Sequence, residues 1–497
     1  MKTVAKIDPE EEYQNAKKLI EQASQEKLNS ENTTALGLSV DNLITAARVL
    51  MEREEQRRGK KRPPKKNTPK GRSKGDIRKE SRKLPSEKFP DIELKENLLS
   101  PENPPICPCC NEPMKESGLF DTSEKLETIP QKYYILKSKR PKFNCGNCHG
   151  AMVNTPAEAS IIPTSNYGDS LIVDASLSKY CDLIPIERYA KIAYRNGLQN
   201  LPPQSLIGLT HHLARFLSPV YKKIKDEILA SLVAQADETP HKMLEGDETF
   251  NWYLWGFFSK KGCYFEAHGT RSGDVAINFL EKSQTKYLVT DGYSGYKRAI
   301  KKIDKKHNRK IIAVYCNAHA FRYFRDSGDT WKEETAPVLS LYGEIYKLER
   351  QRKEGSDKLS PIEQLDLRKN MVSLFEKVKE YCEEKIDEAM PESSFKKALG
   401  YFLNHYKGLT VCTTNIEIPL DNNLSEREMR PPVVGRKTWI GTHSKKGART
   451  GATIFSLVAS CKMNNINPRS YFPWIVSRIH RGEEILSPYE YSKSESR

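Results

Sequence analysis

Between Ser231 and Cys316 the chain leaves charged, helix-like sequence for short apolar runs, and two of those runs stop on an acid. S-L-V-A-Q-A-D-E-T-P, beginning at Ser231, reads as a short strand ending on Asp237 and Glu238. N-W-Y-L-W-G-F-F (251–258) and G-C-Y-F-E-A-H (262–268) read as aromatic-rich strands joined by a tight S-K-K-G turn. Asp274 to Lys282 has helical spacing. K-Y-L-V-T-D (286–291) is an apolar strand ending on Asp291. After a further helix, K-I-I-A-V-Y-C (310–316) is a fully apolar strand. Three strands, a helix, a strand, a helix and a strand predict an α/β layer with a mixed sheet.

A third acid lies further on, in P-L-D-N-N-L-S-E-R-E-M-R-P-P-V-V-G-R-K (419–437). Asp421, Asn422 and Asn423 supply side chains that cap a helix start. Pro431 and Pro432 are expected to close that helix within about two turns. Glu426 and Arg430 then share a face, and Glu428 points away. By itself this is also the pattern of a surface helix with an ordinary ion pair. Residues at strand ends of an open sheet converge on one edge. Three converging carboxylates, Asp237, Asp291 and Glu426, repel one another unless a cation joins them. Hard oxygen donors favour Mg²⁺ or Mn²⁺. Two such ions can activate water and stabilise the leaving oxygen in phosphodiester cleavage.

The formal net charge of +16 points to partners, nucleic acid first and an anionic membrane second. There is no apolar run of about 18 residues, so no membrane span is expected. The N-terminus M-K-T-V-A-K-I-D-P-E lacks the apolar core of a secretory signal. Eleven cysteines without such a signal predict a reducing compartment, the cytoplasm. Residues 8–58 read as helix, suited equally to self-association and to packing on the same chain. Residues 57–83 hold fourteen Lys/Arg against two acids, with Pro and Gly interspersed. That predicts a disordered basic linker making sequence-independent phosphate contacts. C-P-C-C at Cys107–Cys110 and C-G-N-C at Cys145–Cys148 can present four thiolates, from Cys107, Cys110, Cys145 and Cys148, to zinc. Strand-like segments at Tyr133–Lys137 and Arg140–Phe143 fill the gap, as in a small zinc ribbon. Cys109 and His149 are spare candidates. Pro185–Arg195, the break at Gly197 and Pro203–Leu217 have the outline of a helix-turn-helix, which two packed amphipathic helices would also give. Residues 338–408 are long, charged and helical.

The blocks fall in the order found in one known family. C-P-C-C, S-E-K-L-E-T-I-P and R-P-K-F-N-C-G-N-C come first, then S-K-Y-C-D-L-I-P-I-E-R-Y. A-D-E-T-P, T-D-G-Y-S-G-Y and C-N-A-H-A-F-R-Y-F follow, then L-D-N-N-L-S-E-R-E-M-R-P and V-G-R-K-T-W. From Pro104 to Gly482 the chain resembles the DDE transposases of bacterial insertion sequences, specifically the insertion-sequence-66 (TnpC) group. The resemblance implies an RNase H-like catalytic domain carrying a helical insertion, with the triad Asp237, Asp291 and Glu426 binding two Mg²⁺ or Mn²⁺ ions. It implies strand hydrolysis at each element end, then attack of the freed 3′-hydroxyl on target DNA. Cys316 and His319 match the family's C-x-x-H, with a structural or substrate-orienting role as open as a catalytic one. Arg427 and Arg430 would contact phosphates near the cleavage site, as would Gly435, Arg436 and Lys437. Tyr293, Tyr296 and Trp439 are candidates for stacking on unpaired bases or for core packing. The family's common C-W-A-H reads C-N-A-H here, and T-W-I-G replaces its usual aromatic after R-K-N.

The expected organisation is an N-terminal helical region (1–56), a basic linker (57–100), a zinc-ribbon-like domain (101–155) and a helical DNA-binding region (156–230). The catalytic core follows in two parts (231–335 and 411–482) around the helical insertion (336–410), with a tail (483–497). Expected partners are double-stranded DNA (element terminal repeats and target), further copies of the chain on DNA and small accessory transposition proteins, with no membrane. The expected place is the bacterial cytoplasm, at the nucleoid. The competing readings are an RNase H-like nuclease without transposition and a non-catalytic zinc-ribbon DNA-binding protein.

Overall fold

The computed structural model describes residues 84–90, 93–96, 108–109, 112–113, 123–126, 131–144, 152–244 and 251–495. The N-terminal helical stretch, the basic linker of 57–83 and the four cysteines expected to hold zinc lie outside them. The chain divides into two compact units. In the one spanning Gly59–Tyr134, a single helical turn, Pro85–Lys88, is tied to Glu124, whose carboxylate accepts from the Ser86 N–H at 2.8 Å and its hydroxyl at 2.9 Å.

Among the described residues of the other unit the first elements are an antiparallel hairpin of β1 (Lys142–Asn144) and β2 (Met152–Asn154). The C-G-N-C motif lies between these strands in sequence. The strand expected over Tyr133–Lys137 does not form. The partner of β1 comes from after the motif, so the earlier segment has no ladder to join.

Four helices follow: α1 (Asp169–Tyr180), α2 (Ile186–Arg195), α3 (Pro203–Phe216) and α4 (Ser218–Leu229). Gly197 ends the second in a left-handed conformation, φ +90°. The third buries Leu206, Leu209 and Leu213 on one face, so the helix-turn-helix outline coincides with core packing.

The sheet contains β3 (Val233–Lys242), β4 (Asn251–Phe258), β5 (Cys263–His268), β6 (Tyr287–Thr290) and β7 (Ile312–Tyr315), in the order β5-β4-β3-β6-β7. β4 runs antiparallel to both β3 and β5, while β6 and β7 run parallel to β3. The mixed sheet read from the apolar runs is therefore present. One boundary differs: β3 does not stop at Asp237 but continues to Lys242 through its pairing with β4. The antiparallel ladder holds the polar half of the strand where the apolar pattern has ended.

Helices α5 (Asp274–Lys282) and α6 (Ser294–His307) connect the strands, and the Phe257 and Phe279 rings stack at 3.7 Å. Edge strand β5 is covered by α12 (Lys445–Met463), from near the end of the chain. Ser460 and Ser456, one helical turn apart, accept the outward N–H groups of Cys263 and Phe265 at 2.9 and 2.8 Å. Those donors would otherwise offer an open edge for pairing.

Beyond β7 come α7 (Asn317–Ser327), α8 (Lys332–Glu354), α9 (Pro361–Lys385) and α10 (Ser394–Leu409). They enclose a core around Tyr342, Phe375 and Phe402 that runs on to Val289 and Val314 of the sheet. Within it Arg368 is fully buried, paired with Glu349 at 2.7 Å and donating to the Ile418 carbonyl at 3.0 Å. Removing one partner of such a pair costs about 3–5 kcal/mol.

Helix α11 (Asn423–Trp439) runs through Pro431 and Pro432 instead of closing there. The two rings remove the N–H groups that would serve the Arg427 and Glu428 carbonyls. Met429, Pro432 and Gly435 nevertheless form a buried face on β3, and that packing overrides the local stop signal. Helices α13 (Pro468–His480) and α14 (Pro488–Glu495) complete the unit. Among the described residues no helix is long and apolar enough to cross a membrane.

Candidate active site

The register of two parallel strands brings the first two acids together. Gln235 of β3 pairs with Val289 of β6. Two residues further along each strand direction stand Asp237 and Asp291, at the same end of the sheet. Asp237 accepts a hydrogen bond from the Glu238 N–H at 2.9 Å. Asp291 follows the last residue of β6, and its Oδ1 accepts from the Tyr293 N–H at 2.9 Å. Gly292 between them has φ +93°, a conformation glycine adopts without strain. From the helical region the Tyr401 hydroxyl donates to the Asp291 carbonyl at 3.0 Å.

The third acid arrives on α11. Its first turn docks on β3 where the Ser425 N–H meets Gln235 Oε1 at 3.4 Å, and Arg436 reaches the Thr239 hydroxyl at 3.1 Å further along. Asn422 is the N-cap by backbone conformation but makes no side-chain cap bond; Asp421 Oδ1 accepts from the Asn423 N–H instead. Glu426 does not pair with Arg430, which is exposed. It pairs with Arg322 on α7, whose Nη2 lies 2.7 and 2.9 Å from the two carboxylate oxygens. His319 Nε2 stands 3.7 Å from Glu426 Oε1. Glu428 is buried, as its separation from Glu426 on the helix implies, and bonds Arg427 at 2.9 Å.

The electrostatics divide along the same line. Burial, then the charges of Glu238 and Asp291, and at smaller weight Glu426, push the Asp237 carboxyl up to about 8. Glu238 is also raised, chiefly by burial. It is held by Tyr296 Oη at 2.6 Å and by Arg271 at 2.7 and 2.9 Å. Burial pushes the Cys316 thiol up to about 12. Burial and the Arg322 charge lower His319, which favours the neutral imidazole.

The other expected residues sort unevenly. Cys316 caps α7 and lies with His319 and Glu426 in one cluster, their ligand atoms within 4.8 Å of one another. Lys437 is exposed on α11, while Arg427 is engaged by Glu428 and Arg436 by Thr239. Gly435 is buried on α11, with the Trp439 ring 2.6 Å from where a Cβ would stand. Tyr296 is core and Tyr293 lies under the Arg271 guanidinium at 4.4 Å. Trp439 packs edge-on against Tyr180. The residues missed by sequence reasoning are Arg322, Glu238, Arg271 and Gln235. Arg322 had a signal: it follows His319 by three residues on one helix face, inside the C-N-A-H-A-F-R block.

A carboxylate as destabilised as Asp237, facing two others, fits a site for divalent cations with oxygen ligands. Residues 164–450 match the family described as "Transposase IS66 family", and residues 104–149 match "zinc-finger binding domain of transposase IS66". Among similar proteins, the uncharacterized protein y4hP of Sinorhizobium fredii is 24% identical over 84% of this chain and 79% of that protein. The uncharacterized protein y4qI of the same organism is 26% identical over 80% of this chain and 76% of its own length.

Proposed function

The chain belongs to the IS66 family of transposases, and from that premise we propose that it cleaves DNA strands at the ends of its insertion sequence and joins the freed 3′-hydroxyl to target DNA. The observation that carries this reading is the register that sets Asp237 and Asp291 two residues past the Gln235–Val289 pair, with the first turn of α11 docked beside them. Asp237, Asp291 and Glu426 would hold Mg²⁺ or Mn²⁺. When bound, such ions polarise the scissile phosphate and offset charge on the attacking and leaving oxygens.

In the first reaction a water oxygen bonds to phosphorus, the P–O3′ bond breaks, and the departing oxygen leaves as a 3′-hydroxyl after protonation. In the second that hydroxyl attacks a target phosphorus in line, losing its proton and releasing a target 3′-hydroxyl. The protein's part is positioning. Asp291 is held by the Tyr293 N–H, and its backbone by Tyr401. Glu426 is held by Arg322. Arg430 and Lys437, exposed on α11, would meet phosphates, with Arg427 and Arg436 beside them.

On this reading the sheet with its helices is an RNase H-like core, and α8 to α10 are an insertion between its last strand and the helix of Glu426. Cys107, Cys110, Cys145 and Cys148 fall within the matched zinc-finger segment and are proposed to hold a structural zinc. Further copies of the chain on DNA and small accessory proteins are the proposed partners.

The test is Mg²⁺-dependent nicking of a DNA fragment carrying the ends of its own element. Asp291→Asn and Glu426→Gln are each expected to lower it by roughly 10³-fold or more. Full nicking by both variants would refute the assignment. Nicking without joined target products would favour a nuclease.

A further inference from the structure

Cys316 and His319 have no part in the reaction proposed above, yet they stand beside Glu426. Their ligand atoms and a carboxylate oxygen of Glu426 lie within 4.8 Å of one another. Tetrahedral zinc, with bonds of roughly 2.0–2.3 Å, places its ligand atoms about 3.3–3.8 Å apart. The His319 Nε2 to Glu426 Oε1 distance of 3.7 Å already falls in that range. The remaining separations need to close by about 1 Å at most.

Unmet polar groups surround the cluster. His319 Nδ1 is buried with no partner, and so are both polar atoms of the Asn422 side chain, a residue 1% exposed. Asn422 adjoins the cluster directly, since its backbone N–H donates to Cys316 Sγ at 3.2 Å. Buried polar atoms left this way normally face a water or an ion. The donor set is also wrong for magnesium: a thiol and an imidazole select softer cations than carboxylates do.

We propose that Cys316, His319 and Glu426 form a binding site for a borderline transition-metal cation, zinc foremost, which takes Glu426 away from the magnesium site. Arg322 is the group it must accommodate. The guanidinium bonds both oxygens of Glu426, and its Nη1 lies 3.4 Å from His319 Nε2. A cation between His319 and Oε1 displaces Arg322 from that oxygen and leaves it the 2.7 Å bond to Oε2. The thiol proton leaves to solvent as the metal–sulfur bond forms. The site itself stands on these residues alone; its effect on catalysis rests on the proposed role of Glu426.

The experiment measures zinc per chain in the full-length protein, reduced and dialysed against buffered free zinc, for the wild type, Cys316→Ser and His319→Gln. One equivalent fewer in each variant than in the wild type is expected. Equal zinc in all three would overturn the proposal. His319 is half-buried, so His319→Gln keeps the test decisive if Cys316→Ser fails to fold. A second arm reads Mg²⁺-dependent nicking with and without the added zinc. Inhibition of the wild type by about 10-fold or more, relieved in Cys316→Ser or His319→Gln, is expected from a cation that binds such donors far more tightly than magnesium. Nicking indifferent to the extra zinc would overturn the competition for Glu426. If no nicking is found at all, the zinc count still decides the site and the failure falls on the transposase chemistry.

Discussion

Asp237 and Glu426 are close enough to feel each other's charge, and the molecule treats them in opposite ways. Asp237 sits on a strand beside Glu238 and opposite Asp291, and its hydrogen bond comes from a neutral backbone N–H. Glu426 sits on a helix and receives a guanidinium on both oxygens. The sheet half of the site therefore sets Asp237 and Asp291 together, with Glu238 met by Arg271, while the helix half compensates Glu426 with Arg322. A strand fixes a side chain through its ladder, here the pairing of Asp237 with Gly256 of β4, so Asp237 can be held in place without a counter-ion. A helix only docks by one face, and an acid on its first turn needs another group to aim it. Arg322 bonds both oxygens of Glu426, whereas burial and neighbouring acids destabilise the charged form of Asp237.

The largest effect that would break this contrast is at Arg322. If the guanidinium aims Glu426, Arg322→Ala should lower nicking by roughly 10–100-fold, the range for removing a residue that orients a metal ligand. The apparent magnesium requirement should rise with it, and Arg322→Lys should restore part of the loss. Unchanged nicking and unchanged magnesium dependence in Arg322→Ala would reduce the pair to an incidental partly exposed ion pair.

A smaller effect concerns stability, with opposite signs in the two halves. The folded Asp237 carboxyl is raised to about 8 from its ordinary value of 3.8. Between those values the folded protein keeps a proton that the unfolded chain has released. The stability associated with it is fully present below about pH 4 and is lost as pH rises towards 8. Without magnesium, Asp237→Asn should therefore unfold at a higher temperature than the wild type near pH 8, and the gap should close towards pH 4. After discounting for the half-buried position, about 1–2 kcal/mol or a few °C is expected. Glu426→Gln should go the other way, lowering the midpoint by a degree or so, because it strands Arg322 and a pair this exposed is worth about 0–1 kcal/mol. Thermal unfolding followed by circular dichroism across that pH range checks both signs. A lower midpoint for Asp237→Asn at pH 8 would mean that the strand acid is compensated after all.

The same contrast explains what was legible in the sequence. The strands announced themselves because β4 and β6 are apolar and mostly buried and β7 is apolar, so their ends, and Asp291, could be read within a residue or two. Asp237 was placed on a strand while the end of that strand was not, since the second half of β3 is polar and is held by pairing with β4 rather than by burial. Glu426 and Glu428 were separated correctly by helical period. The partner of Glu426 was not, because Arg322 comes from another helix, and a local i,i+4 pattern with Arg430 imitated the real pair. The two prolines misled for a related reason. The face of α11 that packs on β3 is a tertiary fact, invisible to a rule about backbone donors. The cysteines expected to hold zinc and the basic linker lie outside the described residues and stay where the spacing and charge left them.

The smallest expected effect sharpens the helix half further, by asking which of its cations are available to DNA. Arg427 is engaged by Glu428 at 2.9 Å and Arg436 by Thr239 at 3.1 Å, whereas Arg430 is exposed on the same helix. A cation already bonded must give up that bond to meet a phosphate, so its net gain on binding is smaller. Arg430→Ala should therefore weaken binding to the element ends by a few-fold, nearly independently of sequence, and reduce the salt slope of log K by about 1. Arg427→Ala should move both quantities less, and Glu428→Gln, which frees Arg427, should strengthen binding slightly. Fluorescence anisotropy across a salt series measures all three. If Arg427→Ala had the larger slope change, the Arg427–Glu428 bond would have to open on DNA, and the helix half would be less self-contained than its pairing with Arg322 suggests.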